Sequence, residues 1–293
     1  MIKQFRYKDI VWLDLESPTA DEVKELGQKY DIYPLVLEEL THPSERPRVD
    51  VYSDFIYLIL HFPQEIDFII GKHFIITTHY ETVNSLNDFA KILETDLSLK
   101  KNHGQLHAGF IFYYIIKEIY ATLETRLNNL NDRLRTAEEK VFHGEERAMV
   151  KKLSEISHEL MDLRWTLKTH GEILTTVEVA GEDLFGRTFV YYLKAISSEQ
   201  IKIWNTLESN RTMFLDLRET NDSLLTIKTN ETIKTLTIAA FVLLPMTIIA
   251  QLFGIASNDV PVVHSVNGFE TVVGLMILSS ILTYLVARFK KWI

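Results

Sequence analysis

Apolar positions follow three regimes along this chain. Near the amino end they form short runs broken by turns. In the middle they recur among charged residues at helical spacing. Near the carboxyl end they merge into two unbroken stretches, Leu236 to Leu252 and Val272 to Ala287. Neither stretch holds an Asp, Glu, Lys or Arg. With their flanks, Ile233 to Ile255 and Phe269 to Ala287, which add only the charges of Lys234 and Glu270, both approach the ~20 apolar residues that cross a bilayer core. The competing reading is a buried hairpin of a soluble domain, which runs this long disfavour.

The first hundred residues predict a small α/β layer domain with one sheet and flanking helices. Ile10 to Leu15 alternates like a half-buried strand. Thr19 can cap a helix running to about Tyr30, with Glu22 completing a capping box. Pro34 to Leu40 reads as a short helix. Thr41 to Asp50 reads as a loop, because Pro43 and Pro47 break any ladder. Three β-rich runs follow, Tyr52 to Phe62, Ile66 to Ile70 and His73 to His79, with Gly71-Lys72 linking the last two. Helix returns around Val83 to Leu97.

From Gln105 the pattern is helical throughout. One helix is expected to run to about Phe142, where His143-Gly144 breaks it, and a second from Glu145 to about Val179. The segment Gly181 to Gly186 is the next break. From Thr188 to Leu252 a single helix is expected, containing Pro245 and roughly 100 Å long at 1.5 Å per residue. The expected layout is residues 1–104 as the cytoplasmic α/β domain and 105–232 as long helices and stalk. Residues 233–255 form the first span, 256–268 the outer loop, 269–288 the second span and 289–293 a basic tail.

Charge sets the orientation. Arg288, Lys290 and Lys291 follow the second span, Lys228 and Lys234 precede the first, and Gly254 to Thr271 has acids but no Lys or Arg. Basic flanks stay inside, so both termini are expected in the cytoplasm. The start of the chain lacks the apolar core of a signal peptide. The net charge of −9 argues against nucleic acid as a partner. No Cys is present, which excludes disulfides and thiolate metal sites and leaves oxygen and imidazole donors. There is no Gly-rich phosphate loop or nucleophile triad to suggest an ATP-driven pump or an enzyme.

Two spans cannot enclose a wet channel, so conduction would need several copies around an axis. One stripe of the long helix has a fitting order: Glu219, Ser223, Thr226, Asn230, Ile233, Leu236, Ala240, Leu244, Thr247 and Gln251. It is polar, then apolar, then polar, as in a pore gated by a hydrophobic constriction. Ordinary helix packing with solvated polar ends explains the stripe about as well.

Three segments carry a family resemblance: Arg46 to Ile59 (RPRVDVYSDFIYLI), Lys228 to Gly254 (KTNETIKTLTIAAFVLLPMTIIAQLFG) and the terminal FKKWI. The chain resembles the CorA family of divalent-cation transporters over essentially its whole length. The resemblance implies an α/β cytoplasmic domain followed by long helices and two C-terminal transmembrane helices, assembled as a funnel-shaped homopentamer in a bacterial or archaeal plasma membrane. It implies Mg²⁺, or Co²⁺ or Ni²⁺, as cargo moving down its electrochemical gradient, and no resident cofactor. The implied ion path holds Asn230 at the inner mouth, Leu236, Ala240 and Leu244 as hydrophobic gate, and Thr247 further out. Glu219 lies at the cytoplasmic side and Gly254 toward the outer mouth. The resemblance further implies closure by intracellular dications, for which Asp88 and Asp216 are candidates.

One departure bears on the ion. Where the family carries Gly-Met-Asn after the first span, this chain has Gly254-Ile255-Ala256. Ala256 offers no amide to a hydrated cation. Asp259, with Asn258, could supply a substitute ring, since five acids would attract a dication, or could be solvated loop residues. Val262 stands where relatives carry an acid after Pro261. Transport of Zn²⁺ or another transition ion, with His264 as a compatible ligand, and a non-conducting sensor or scaffold are the alternatives.

Overall fold

The computed structural model describes residues 2–44, 46–95, 107–254 and 267–290. They fall into two compact units, Met1–Arg218 and Glu219–Ile293.

The first unit is built on a six-stranded sheet. Its strands are β1 (Ile2–Tyr7), β2 (Ile10–Glu16), β3 (Arg48–Val51), β4 (Phe55–His61), β5 (Glu65–Gly71) and β6 (Phe74–His79). Their order is β1-β2-β6-β5-β4-β3. Only β2 and β6 run parallel; the other neighbours are antiparallel. Helices α1 (Ala20–Tyr30) and α2 (Pro34–Glu39) join one face. There Leu13, Leu15, Val23, Leu26, Val36, Tyr57 and Ile69 form a continuous core. On the other face Trp12 meets Phe89 of α3 (Asn84–Thr95), and Phe68 meets Phe112 of α4 (Ala108–Phe142).

This layering corrects the reading of Ile10 to Leu15 as half-buried. β2 is central and covered on both faces, so Ile10, Trp12, Leu13 and Leu15 are all buried. Strands buried on both sides lose alternation. The capping box of α1 is as expected: Glu22 N–H donates to Thr19 Oγ1 at 3.3 Å, and Thr19 N–H to Glu22 Oε2 at 2.8 Å. Edge strand β1 lies outside the expected elements: Lys3 and Gln4 interrupt any apolar alternation, and its residues are exposed or half-buried. β3 begins directly after Pro47, inside the expected loop, as a second edge. Its partner β4 starts later than expected, because Tyr52 N–H closes a turn onto Phe55 O at 3.0 Å.

The helical part holds α4, α5 (Glu146–Leu167), α6 (His170–Phe185) and the first part of α7 (Val190–Gly254). The second expected helix is thus two. It breaks at Lys168-Thr169, which carries no Gly or Pro, where fully buried His170 accepts or donates at Nδ1 to Tyr120 Oη, 3.1 Å away, and packs edge-on against Phe62. The expected break at Gly181 does not occur. Gly181 lies inside α6, and its lack of a side chain makes room for Leu193, whose Cδ1 would stand 2.4 Å from a Cβ there. Gly186, at φ +88°, ends α6 instead. α7 is held to α4 by a buried amide chain: Asn210 Nδ2 donates to Leu127 O at 2.8 Å, and Asn131 Nδ2 to Asn210 Oδ1 at 2.9 Å.

The second unit comprises the rest of α7 and α8 (Gly268–Phe289). Both are long and apolar enough to cross a membrane. The expected first span, residues 233–255, falls in α7 as far as Gly254, and the expected second span, residues 269–288, falls within α8. The loop residues 255–266, with Ala256, Asp259 and His264, lie outside the described residues, as does the tail from 291.

Candidate functional site

Two faces of α7 can be told apart after Glu219. Ile238, Val242, Pro245, Met246, Ile249 and Phe253 are half-buried and recur at three- and four-residue steps, which makes them one stripe. Val242 lies on that stripe, and its carbonyl accepts a hydrogen bond from Ser280 Oγ of α8 at 3.2 Å. This is the face covered within the chain. At about 100° of turn per residue, the stripe from Ile233 to Gln251 lies on the opposite face, and its inner part, through Ser223 and Asn230, lies toward the flank.

Every residue expected on the ion path or at the gate that falls among the described residues lies on that open face or its flank. Glu219, Asn230, Leu236, Ala240, Leu244, Thr247 and Gly254 are all exposed. Leu236 is 70 % exposed and Leu244 53 %. Apolar residues this exposed, in a run, are a surface that something else covers. By helical projection Lys228 and Glu231 point away from the stripe, although both, like every residue from 226 to 237, are exposed.

The polar members of the face have a defined chemistry. Thr226 Oγ1 donates to Asp222 O at 2.8 Å, and Thr247 Oγ1 donates to Leu244 O at 2.8 Å. A hydroxyl whose proton is given to its own backbone presents only oxygen lone pairs outward. Such an oxygen suits a cation or the hydrogens of its water shell. Asn230 adds an amide carbonyl at the inner end. Continuing the same helical spacing brings in Asp222 and Thr229, both exposed, which the sequence-based stripe passed over. The signal was available, since Asp222 stands four residues before Thr226. The stripe instead was carried through Ser223.

The α/β domain holds buried ionisable groups of another kind. Asp67 is 1 % exposed and Glu65 9 %. Burial, and then the neighbouring Glu65, push Asp67 well above the usual carboxylate range. Burial also raises Glu65, against the Ser44 N–H that donates to both its oxygens at 2.8 Å. Tyr57 Oη donates to Asp67 Oδ2 at 3.3 Å. On the other sheet face Trp12 Nε1 donates to Thr77 Oγ1 at 3.0 Å, and Thr77 donates to Asp14 Oδ1 at 2.6 Å. His79 Nε2 stands 3.3 Å from the same Asp14 oxygen. Burial lowers the His79 pKa, but Asp14 outweighs it and the net shift is upward. These groups are sealed between strands and helices. They do not form the cleft that an enzymatic reading of the domain would require.

No group of three or more His, Asp or Glu able to hold a metal is present among the described residues. Asp88, a candidate for a regulatory cation, accepts instead from Lys91 Nζ at 2.8 Å. Asp216 lies exposed on α7, outside any such group.

The class of protein so outlined has an α/β domain, long helices and two carboxyl-terminal helices long and apolar enough to cross a membrane, one of which keeps a long face uncovered. Residues 7–291 match the family described as CorA-like Mg2+ transporter protein, and the chain belongs to that family. As a member of a transporter family it is not an enzyme. The cobalt/magnesium transport protein CorA of Thermotoga maritima is 23 % identical over 297 residues, spanning 96 % of this chain and 83 % of that protein. The complete structure of the CorA magnesium transporter from Methanocaldococcus jannaschii superposes with a TM-score of 0.80 at 20 % identity, over 99 % of this chain and 93 % of that one. The ZntB cytoplasmic domain from Vibrio parahaemolyticus superposes at 0.61 and 11 % identity, over 75 % of this chain and 89 % of that one. At these identities the structural likenesses speak for the fold.

Proposed function

We propose that this chain carries divalent cations, Mg²⁺ first, across a plasma membrane through a homopentameric ring walled by the open face of α7. Both termini lie in the cytoplasm. The observation that carries the reading is the uncovered face itself: polar oxygens, then Leu236, Ala240 and Leu244, then Thr247, all opposite the side packed on α8. Five copies meeting on that face would bury the leucines against one another and leave a narrow axis. Water leaves such a constriction easily, so the leucine rings gate by dewetting. Asn230, Thr226 and Asp222 would receive the ion at the inner end, and Asp259 would gather it outside.

The driving force needs no ATP. A dication crossing 100 mV inward gains about 4.6 kcal/mol. The cation is cargo, and no resident cofactor enters the scheme.

Ala256 supports a second reading in which the preferred ion differs from Mg²⁺. Mg²⁺ holds its waters tightly, and the amide ring that would hold those waters at the outer mouth has been lost. Zn²⁺, which readily takes imidazole and carboxylate donors directly, would be less dependent on such a ring. The test is uptake of Mg²⁺, Co²⁺, Ni²⁺ and Zn²⁺ by the purified protein in vesicles, with and without a pH gradient. Uptake of no dication would defeat both readings and leave a membrane sensor or scaffold. Ala256→Asn should raise Mg²⁺ uptake more than Zn²⁺ uptake. An equal effect on both ions would remove Ala256 as the selectivity determinant.

A further inference from the structure

Inside a bilayer a hydroxyl has no water to satisfy it and normally bonds its own helix backbone. Thr237, Thr247, Thr271, Ser279 and Thr283 do this, donating to the carbonyls of Ile233, Leu244, Asn267, Met276 and Ser279 at 2.8–2.9 Å. Ser280 departs from the pattern. Its Oγ donates across the helix pair to Val242 O at 3.2 Å, and it is only 7 % exposed.

The place of that crossing matters. Val242 lies within one turn between Ala240 and Leu244, the apolar part of the open face, and points the other way. Pro245 stands three residues further on, inside α7. It has no N–H to give, so this turn is held by one ladder bond fewer than its neighbours. A helix weakened at one turn bends there. The Ser280 bond ties the weakened turn to α8 from behind, while the gate side chains project from its front.

We propose that Ser280 is a positioning residue for the gate, holding the Val242–Pro245 turn of α7 against α8 and thereby keeping the leucine constriction closed. The proposal rests on the transport reading above. Losing the bond lets the turn swing on Pro245 and loosens the ring. An interhelical hydrogen bond in a membrane contributes ~0.6 kcal/mol, or about threefold in an equilibrium. Were five subunits to open together, the factors would multiply to on the order of a hundredfold.

Dication uptake by vesicles holding the full-length protein reads this directly. Ser280→Ala should raise the initial rate at least threefold over the unmodified protein. Pro245→Ala restores the missing N–H, so Ser280→Ala placed in that background should raise the rate much less. An unchanged rate in Ser280→Ala, or the same factor in both backgrounds, overturns the proposal. Silence of the unmodified protein would instead defeat the transport reading. The clamp is then read by amide hydrogen exchange over residues 238–249 of the solubilised chain, which needs neither flux nor an assembled ring. Faster exchange in Ser280→Ala supports it, and identical exchange overturns it.

Discussion

Leu134 and Leu236 both lie on helical stripes, yet the first is fully buried and the second 70 % exposed. The contrast runs through the two units. In residues 1–218 the chain covers its own apolar surface: α1 and α2 close one sheet face, α3 and α4 the other, and α4 to α7 pack on one another. In residues 219–293 two helices cover only a strip of each other. Leu243, Leu252, Leu278, Leu282 and Phe289 are exposed at more than half their area. Water tolerates the first arrangement and not the second. The same residue type therefore signals a finished core in one unit, and in the other a demand for lipid or for another copy.

Substitutions that separate the two fates test this contrast most directly. Leu134→Ala should lower stability by about 3 kcal/mol, because it leaves a cavity in a packed interior. Leu236→Ala should hardly change the unfolding of the solubilised chain, since little surrounds it there, while raising vesicle uptake by widening the constriction. Thermal unfolding of both variants decides the matter. Equal losses would mean that Leu236 is packed as a core residue.

A second difference lies in pH. Burial holds His170 neutral, lowering its pKa from 6.5 to about 3. A histidine with a depressed folded pKa contributes stability that is complete above 6.5. That stability declines as the pH falls toward 3, by at most about 1.4 kcal/mol per unit. His107 is shifted the same way by burial, to about 4. Unfolding followed by circular dichroism between pH 7 and 5 should show the first unit weakening. His170→Gln should flatten that slope, and an undiminished slope would place the sensitivity elsewhere.

The smallest expected effect concerns the inner end of the open face. Asp222→Asn should reduce dication uptake severalfold, up to about tenfold at low salt, because a ring of carboxylates concentrates cations there. Added salt should shrink the difference. A difference that ignores salt would point to a structural role for Asp222.

Sequence pattern alone pointed to two candidate spanning helices, the capped first helix and the long α7. Each rests on local physics: a run without charge, a Thr and Glu three residues apart, a stretch from Thr188 to Leu244 without Gly or Pro. The stripe from Glu219 to Gln251 was legible too, because helical spacing projects it onto one side. The break before His170 carries no local signal, since it follows from that ring docking between Tyr120 and Phe62. The full burial of β2 likewise depends on helices distant in sequence. Only the tertiary structure could say which side of α7 is taken. Periodicity defines a face but not its neighbour. The bond from Ser280 to Val242 assigns one side to α8 and leaves the other open.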